Sequence, residues 1–258
     1  MGILNVTPDS FHAESRILQK DELLQRAGSM IDDGADILDF GGQSTRPGAE
    51  RIDAQTEIHR VIPAIESVRA AFPTICISID TFYSEVAGTA CNAGANIIND
   101  ISGGSIDSNM YSTAAHCRVP YILTHIQGEP QTMQNNPQYI DVVAEVLNYF
   151  NEKTAILNAA GVDQIILDPG FGFGKTMHHN LCLLKNLHLF GALNHPVLVG
   201  ISRKKTLQQL VNGDSTQTLN ATTVANTIAL MHGASIIRVH DVREAKEAVL
   251  IVNALNKA

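Results

Sequence analysis

The chain contains no run of apolar residues approaching the roughly 18 that a membrane span requires, and no signal-peptide pattern is read at its start. No membrane association is expected. It has no C-x-x-C pair. Cys76, Cys91, Cys117 and Cys182 are scattered, and three of them sit in or beside apolar runs. Buried, reduced thiols and a cytoplasmic protein follow from that pattern. Positive charge is also scarce, with 18 basic residues against 26 acidic ones and a net charge of −8. General nucleic-acid binding is thereby excluded, and any anionic ligand must meet locally clustered bases. Linkers and low-complexity stretches are lacking too. The 258 residues, 45% hydrophobic and 17% charged, are read as one domain spanning 1–258.

What the chain does have is a repeat. "GADILDFGG" begins at Gly34, "GANIINDISGG" at Gly94, "GVDQIILDPG" at Gly161 and "GASIIRVHD" at Gly233. Each is a glycine suited to the left-handed end of a helix, followed by an apolar run suited to a parallel strand buried on both faces. The spacing leaves room for a further strand in each gap. "PTICISIDT", "PYILTH" and "PVLVGIS" fill three, and "GILNV" at the start makes an eighth strand. Amphipathic segments 21–33, 54–70, 139–160, 177–190 and 243–255 read as helices. Eight βα units predict a (β/α)8 TIM barrel, with an open doubly wound sheet as the alternative.

In a barrel the C-terminal strand ends form the active site. Here they carry Asn5, Asp80, Asn99, His125, Asp168, Ser202 with Arg203 and Lys204, and Arg238 with His240. Asp80, Asn99, Asp168 and Lys204 suit a flat heterocycle edged with N–H and carbonyl groups. Arg46, Arg203, Arg238 and His240 suit phosphate or carboxylate groups. Asn5 and Asp9 offer hard oxygens for Mg2+ already carrying phosphates. "ILDPGFGFGKT" (166–176) ends like a phosphate loop, but Pro169 fills the first glycine slot, and proline has neither the N–H nor the freedom of φ that slot needs. Lys175 and Thr176 are therefore read as a helix start. His178 and His179 open a helix and point two ways, so they are not read as a metal site.

Seven ordered motifs carry a resemblance. "GILNVTPDSF" (2–11), "STRPGA" (44–49), "SIDT" (78–81), "IIND" (97–100), "DPGFGFGK" (168–175), "GISRK" (200–204) and "RVHDV" (238–242) resemble the dihydropteroate synthase family of pterin-binding enzymes over essentially the whole length. The resemblance implies a transferase of folate biosynthesis and a sulfonamide target. It would join p-aminobenzoate to 6-hydroxymethyl-7,8-dihydropterin diphosphate, with Mg2+ as cofactor. It implies that Asp80, Asn99, Asp168 and Lys204 hold the pterin and that Arg238 stacks on it and meets diphosphate with His240. Asn5 and Asp9 would bind Mg2+, and Thr45, Arg46, Pro47, Phe173 and Lys204 would build the aminobenzoate site. Asp80, Asp168, Lys204 and Arg238 are the expected catalytic residues. A homodimer is the expected assembly.

The chain departs from the family pattern in four places. It begins at the first strand, so a less covered barrel floor is expected. "HAESR" follows "PDSF" where a glycine-rich loop is common, and the fifth strand ends "LTHIQG" without a methionine beside the histidine. Lys205 replaces the serine that usually follows "SRK". Two courses are open to it: its ammonium pairs with the aminobenzoate carboxylate, or its stem swings out to solvent. A non-catalytic pterin-binding barrel and a folate-dependent corrinoid methyltransferase are the rival functions, and "STRPGA" and "SRK" argue against the latter.

Overall fold

Strand and helix alternate in the computed structural model, which describes residues 1–6, 16–43, 51–128 and 132–258 (backbone only for 16–19). The order is β1 (Gly2–Asn5), α1 (Arg16–Asp32), β2 (Ile37–Gly41), α2 (Ala54–Ala71), β3 (Cys76–Asp80), α3 (Ser84–Asn92), β4 (Ile97–Asp100) and α4 (Met110–Cys117). It continues with β5 (Tyr121–Thr124), α5 (Val142–Ala159), β6 (Ile165–Asp168), α6 (Met177–Lys185), β7 (Leu198–Val199), α7 (Lys205–Val211), α8 (Leu219–Met231), β8 (Ile236–Ile237) and α9 (Val242–Leu255).

β1 to β6 pair in sequence order, all parallel, and β7 pairs with β8. Single parallel bridges join Leu167 to Val197 and Gly2 to Val239. These close the ring, so the barrel holds and the open sheet does not. The repeat glycines 34, 94, 161 and 233 all take positive φ at helix ends, between +88° and +115°, as the repeat predicts.

Capping chemistry fixes the helix starts. Asp53 accepts from the Thr56 N–H at 2.7 Å and opens α2. Asp141 accepts from Val143 and Ala144, so α5 begins at Val142 rather than at 139. Thr176 caps α6, as expected of a helix start, and the His179 ring completes a capping box. The helix expected over 177–190 ends at Lys185 and passes into a 3-10 helix, Leu187–Leu193.

The interior is layered. Met1, Ile37, Cys76, Ile97, Ile122, Ile166, Leu198 and Ile236 form a cluster of their own, one residue from each strand or its start. They plug the floor of the barrel. A separate, larger core lies outside the strands, between sheet and helices. The strands are thus buried on both faces, as their unbroken apolar runs require.

Candidate active site

Strand side chains alternate, so residues two positions beyond the floor layer face the same interior. The step from Ile37, Cys76, Ile97, Ile122, Ile166 and Ile236 leads to Asp39, Ser78, Asn99, Thr124, Asp168 and Arg238. An apolar floor therefore carries a polar ring. One step further stand Asn5, Gly41 and Asp80, which lie in register with one another. The cup formed this way is buried and charged.

Arg238 organises one side of it. Its Nε donates to Asp39 Oδ2 at 2.6 Å and its Nη2 to Asp80 Oδ2 at 2.7 Å. Asn99 Nδ2 donates to the same Asp39 oxygen at 3.1 Å. Burial works against the charge of Arg238, but Asp39 and Asp80 outweigh it and hold the guanidinium above its ordinary value. Burial pushes Asp80 up to about 7 against the pull of Arg238, with Asp39 and Asp100 adding to the rise. Asp39 Oδ1, Ser78 Oγ and Thr124 Oγ1 are buried and find no partner among the described residues.

Asp168 and Lys204 form the other side. Asp168 ends β6 and accepts from the Gly170 N–H at 2.8 Å through Oδ1. Burial raises its pKa, and Lys204 opposes the rise. Lys204 is the N-cap residue of α7. Its ammonium donates to the Phe171 carbonyl and lies 4.5 Å from the centre of the Phe173 ring. Burial lowers it to about 8, against Asp168. Three carboxylates, Asp39, Asp80 and Asp168, and two cations thus face the barrel interior together, with a half-buried aromatic ring at the edge.

Other expected residues fall elsewhere. Ser202 Oγ sits 3.1 Å from His240 Nδ1 and accepts from the His240 N–H. Arg203 gives both arms of its guanidinium to Asp241, at 2.9 and 2.5 Å. The Nε and Nη2 edge of the guanidinium is engaged by protein, and the Nη1 edge keeps further N–H donors. Lys205 is the first residue of α7 and is exposed. Asn5 is half-buried, its Oδ1 3.1 Å from where a Cβ on Gly41 would stand. Asp9, Thr45, Arg46 and Pro47 lie outside the described residues.

Three residues of the site escape the sequence reading. Asp39 sits inside a strand rather than at its end, and only the two-residue step from Ile37 marks it. Lys175 is read as part of a helix start, yet it is 3% exposed and turned inward to His125 Nδ1 at 2.9 Å. Nothing in its sequence neighbourhood signals that. Glu57, in the first turn of α2, is fully buried and accepts from Gln43 Nε2 at 3.1 Å and Thr81 Oγ1 at 3.0 Å. Burial pushes it up to about 8.

Comparison with known proteins agrees with this geometry. The pterin binding enzyme family matches residues 1–240. The dihydropteroate synthase of Escherichia coli (strain K12) is 45% identical over 256 residues, covering 98% of this chain and 90% of that protein. The Yersinia pestis dihydropteroate synthase, solved with a sulfonamide drug complex, superposes with a TM-score of 0.94 at 41% identity, covering 100% of this chain and 94% of that one. The Thermus thermophilus enzyme, solved with 4-aminobenzoate, gives 0.88 at 40% identity, covering 99% and 93%. The chain belongs to the pterin binding enzyme family and, within it, to the dihydropteroate synthases.

Proposed function

We infer that the chain joins p-aminobenzoate to 6-hydroxymethyl-7,8-dihydropterin diphosphate, giving dihydropteroate and diphosphate. The carrying observation is the cup in which Asp80, Asn99 and Asp168 share one buried space with Lys204 and Arg238. Asp80, Asn99 and Asp168 are proposed to meet the donor and acceptor edge of the pterin, with Lys204 donating beside them. Arg238, freed in part from Asp80 by the ligand, would lie on the ring and meet the diphosphate with His240. Phe173 and Lys204 would wall the aminobenzoate site, together with Thr45, Arg46 and Pro47.

In the reaction the bond between the exocyclic methylene carbon and the diphosphate oxygen breaks, and the electron pair leaves with diphosphate. Positive charge develops on the pterin. The carboxylates of Asp80 and Asp168 stabilise it where burial keeps competing water out. The arylamine nitrogen then bonds to the methylene carbon and sheds a proton to solvent. It is already a nucleophile, so positioning suffices and no residue forms a covalent intermediate.

Mg2+ is proposed as cofactor. The test is the donor set: Asn5 presents an amide oxygen at the rim, in register with Gly41 beside Asp80. No group of three or more His, Cys, Asp or Glu among the described residues could hold a metal alone. Asn5 with Asp9 would suffice for an ion that keeps most of its waters, and when bound it would neutralise charge on the departing diphosphate.

A homodimer is proposed on the outer face of α8. Val224, Ile228 and Met231 are exposed at 52%, 37% and 60% and fall on one helical stripe. No helix among the described residues is long and apolar enough to cross a membrane. The four thiols are free but half-buried rather than buried as expected; free thiols fit a reducing compartment, and cytoplasmic residence is proposed.

The deciding assay is diphosphate release from the pterin substrate with and without p-aminobenzoate. Release that depends on p-aminobenzoate and yields dihydropteroate is expected. Release without it, or none, would remove the synthase reading.

A further inference from the structure

The loop after β6 is held by an unusual set of donors. Four successive backbone carbonyls, from Phe171 to Gly174, each accept from a different side chain. Lys204 Nζ serves Phe171, Gln134 Nε2 serves Gly172, Lys175 Nζ serves Phe173 at 3.0 Å and the Tyr139 hydroxyl serves Gly174 at 2.9 Å. These donors arrive from the start of α7, from the segment before α5 and from the loop itself. The backbone also presses on the end of β5. A Cβ on Gly170 would stand 1.9 Å from the His125 carbonyl oxygen, and one on Gly174 2.2 Å from that of Gln127. Both glycines take positive φ, at +69° and +62°. Only glycine fits such a close approach in that conformation.

Lys175 is the one donor among these that spans the seam between the two strand ends. An ammonium has three N–H donors, and three acceptors are in place: His125 Nδ1 at 2.9 Å, the His125 carbonyl at 3.2 Å and the Phe173 carbonyl at 3.0 Å. The group is saturated by protein and has nothing left for a phosphate. It also dictates the state of His125. While Lys175 is an ammonium, Nδ1 accepts, which puts the proton on Nε2 and leaves the ring neutral. Burial, and then the charge of Lys175, push His125 down to about 2, which agrees. Burial lowers Lys175 itself to about 7, against the nearby Asp168.

We propose that Lys175 is a positioning residue for the aromatic amine substrate. It ties the Phe173 backbone to the end of β5 and so sets the ring that walls the p-aminobenzoate site. Lys204 reaches the face of the same ring, at 4.5 Å from its centre. The ring is therefore fixed by one lysine through its backbone and by another over its face. The proposal rests on the synthase reading above, which places the arylamine against Phe173.

The test is a kinetic split with a spectroscopic control. In Lys175→Met, the KM for p-aminobenzoate is expected to rise about tenfold while that for the pterin diphosphate moves by less than about twofold. On a Phe173→Leu background the same substitution should add less than about twofold, because both act through one ring. Equal rises in both KM values, no change in either, or full additivity would overturn the proposal. Should Lys175→Met not fold, Lys175→Gln keeps two donors and is read by the same ratios. Nitrogen NMR on the wild-type protein, with His125→Gln for assignment, reads the bridge without any turnover. A neutral Nε2–H ring is expected at about pH 5 to 6, below the value of about 7 to which burial lowers Lys175, and an Nδ1–H or protonated His125 there overturns the bridge. A wild type that releases no diphosphate with p-aminobenzoate, yet shows this tautomer, would instead count against the synthase reading.

Discussion

Arg238 Nε donates to Asp39 Oδ2 at 2.6 Å, across the barrel interior from the end of β8 to β2. Asp39 is fully buried, and the same oxygen also receives Asn99. One carboxylate thus orients two groups assigned to the pterin site, an arginine and an amide. Arg238 carries the link onward to Asp80.

Asp39→Asn should therefore disturb ligand binding without touching ligand. Breaking one partner from a buried ion pair costs about 3–5 kcal/mol when the remaining charge is left alone. Here Asp80 stays to pair Arg238, so a smaller loss of stability, about 1–3 kcal/mol, is expected. The KM for the pterin substrate should rise at least about tenfold. Denaturant midpoints and steady-state kinetics check both parts, and an unchanged KM would show that Arg238 holds its position without Asp39.

Asp168→Asn is expected to stay folded and lose nearly all activity. The carboxylate faces the proposed donor edge of the pterin, and losing a charge-assisted pair there should cost about 2–4 kcal/mol. That corresponds to about 30- to 800-fold in kcat/KM. Circular dichroism and diphosphate release measure it, and normal turnover would remove Asp168 from the pterin site.

The barrel was legible in the sequence because its repeat is made of local signals. Glycine at each helix end, apolar runs and capping residues all act within a few positions. The polar strand ends were legible because barrel geometry gives them one meaning. Asp39 and Lys175 were not. Asp39 differs from a satisfied core carboxylate only through Arg238, 199 residues away. Lys175 meets His125 across 50 residues, and nothing local distinguishes it from a lysine at a helix start. The partner of Arg203 was not legible either, since Asp241, the N-cap of α9, lies 38 residues away.

Activity is expected to require Mg2+, and Asn5→Ala should weaken diphosphate binding. Asn5 stands at the rim beside Gly41, where an amide oxygen could join Asp9 and several waters around one ion. Full activity in excess chelator would rule the ion out. With the ion required, inhibition by added diphosphate should weaken in Asn5→Ala by about fivefold or more, about 1 kcal/mol.

Exposure at the first residue of α7 favours the solvent position for Lys205. Lys205→Ser should then leave the KM for p-aminobenzoate and the inhibition constant of a sulfonamide within about twofold, about 0.4 kcal/mol. A larger, salt-sensitive change would instead assign its ammonium to the substrate carboxylate.

Glu57 gives the stability a pH dependence of its own. Unfolded, its carboxyl titrates near 4.5; folded, burial holds the proton to about 8, despite hydrogen bonds from Thr81 and Gln43. Between those values the folded state keeps a proton that the unfolded state has released. The contribution is complete below about 4.5 and is lost as pH rises through about 8. Other buried groups titrate in the same range, and Lys175 and Lys204, held low, act in the opposite direction. The difference between two proteins isolates Glu57. Glu57→Gln keeps the shape, offers a carbonyl oxygen to Thr81 and Gln43, and cannot ionise. It should match the wild type near pH 4.5 and become more stable than it as pH approaches 8. The gap should widen by at most about 1.4 kcal/mol for each pH step of one across that window, reaching a few kcal/mol. Urea midpoints of both proteins across that range measure the divergence. Parallel curves would mean that Glu57 is ionised in the fold, its charge met by Arg60 or by a donor outside the described residues.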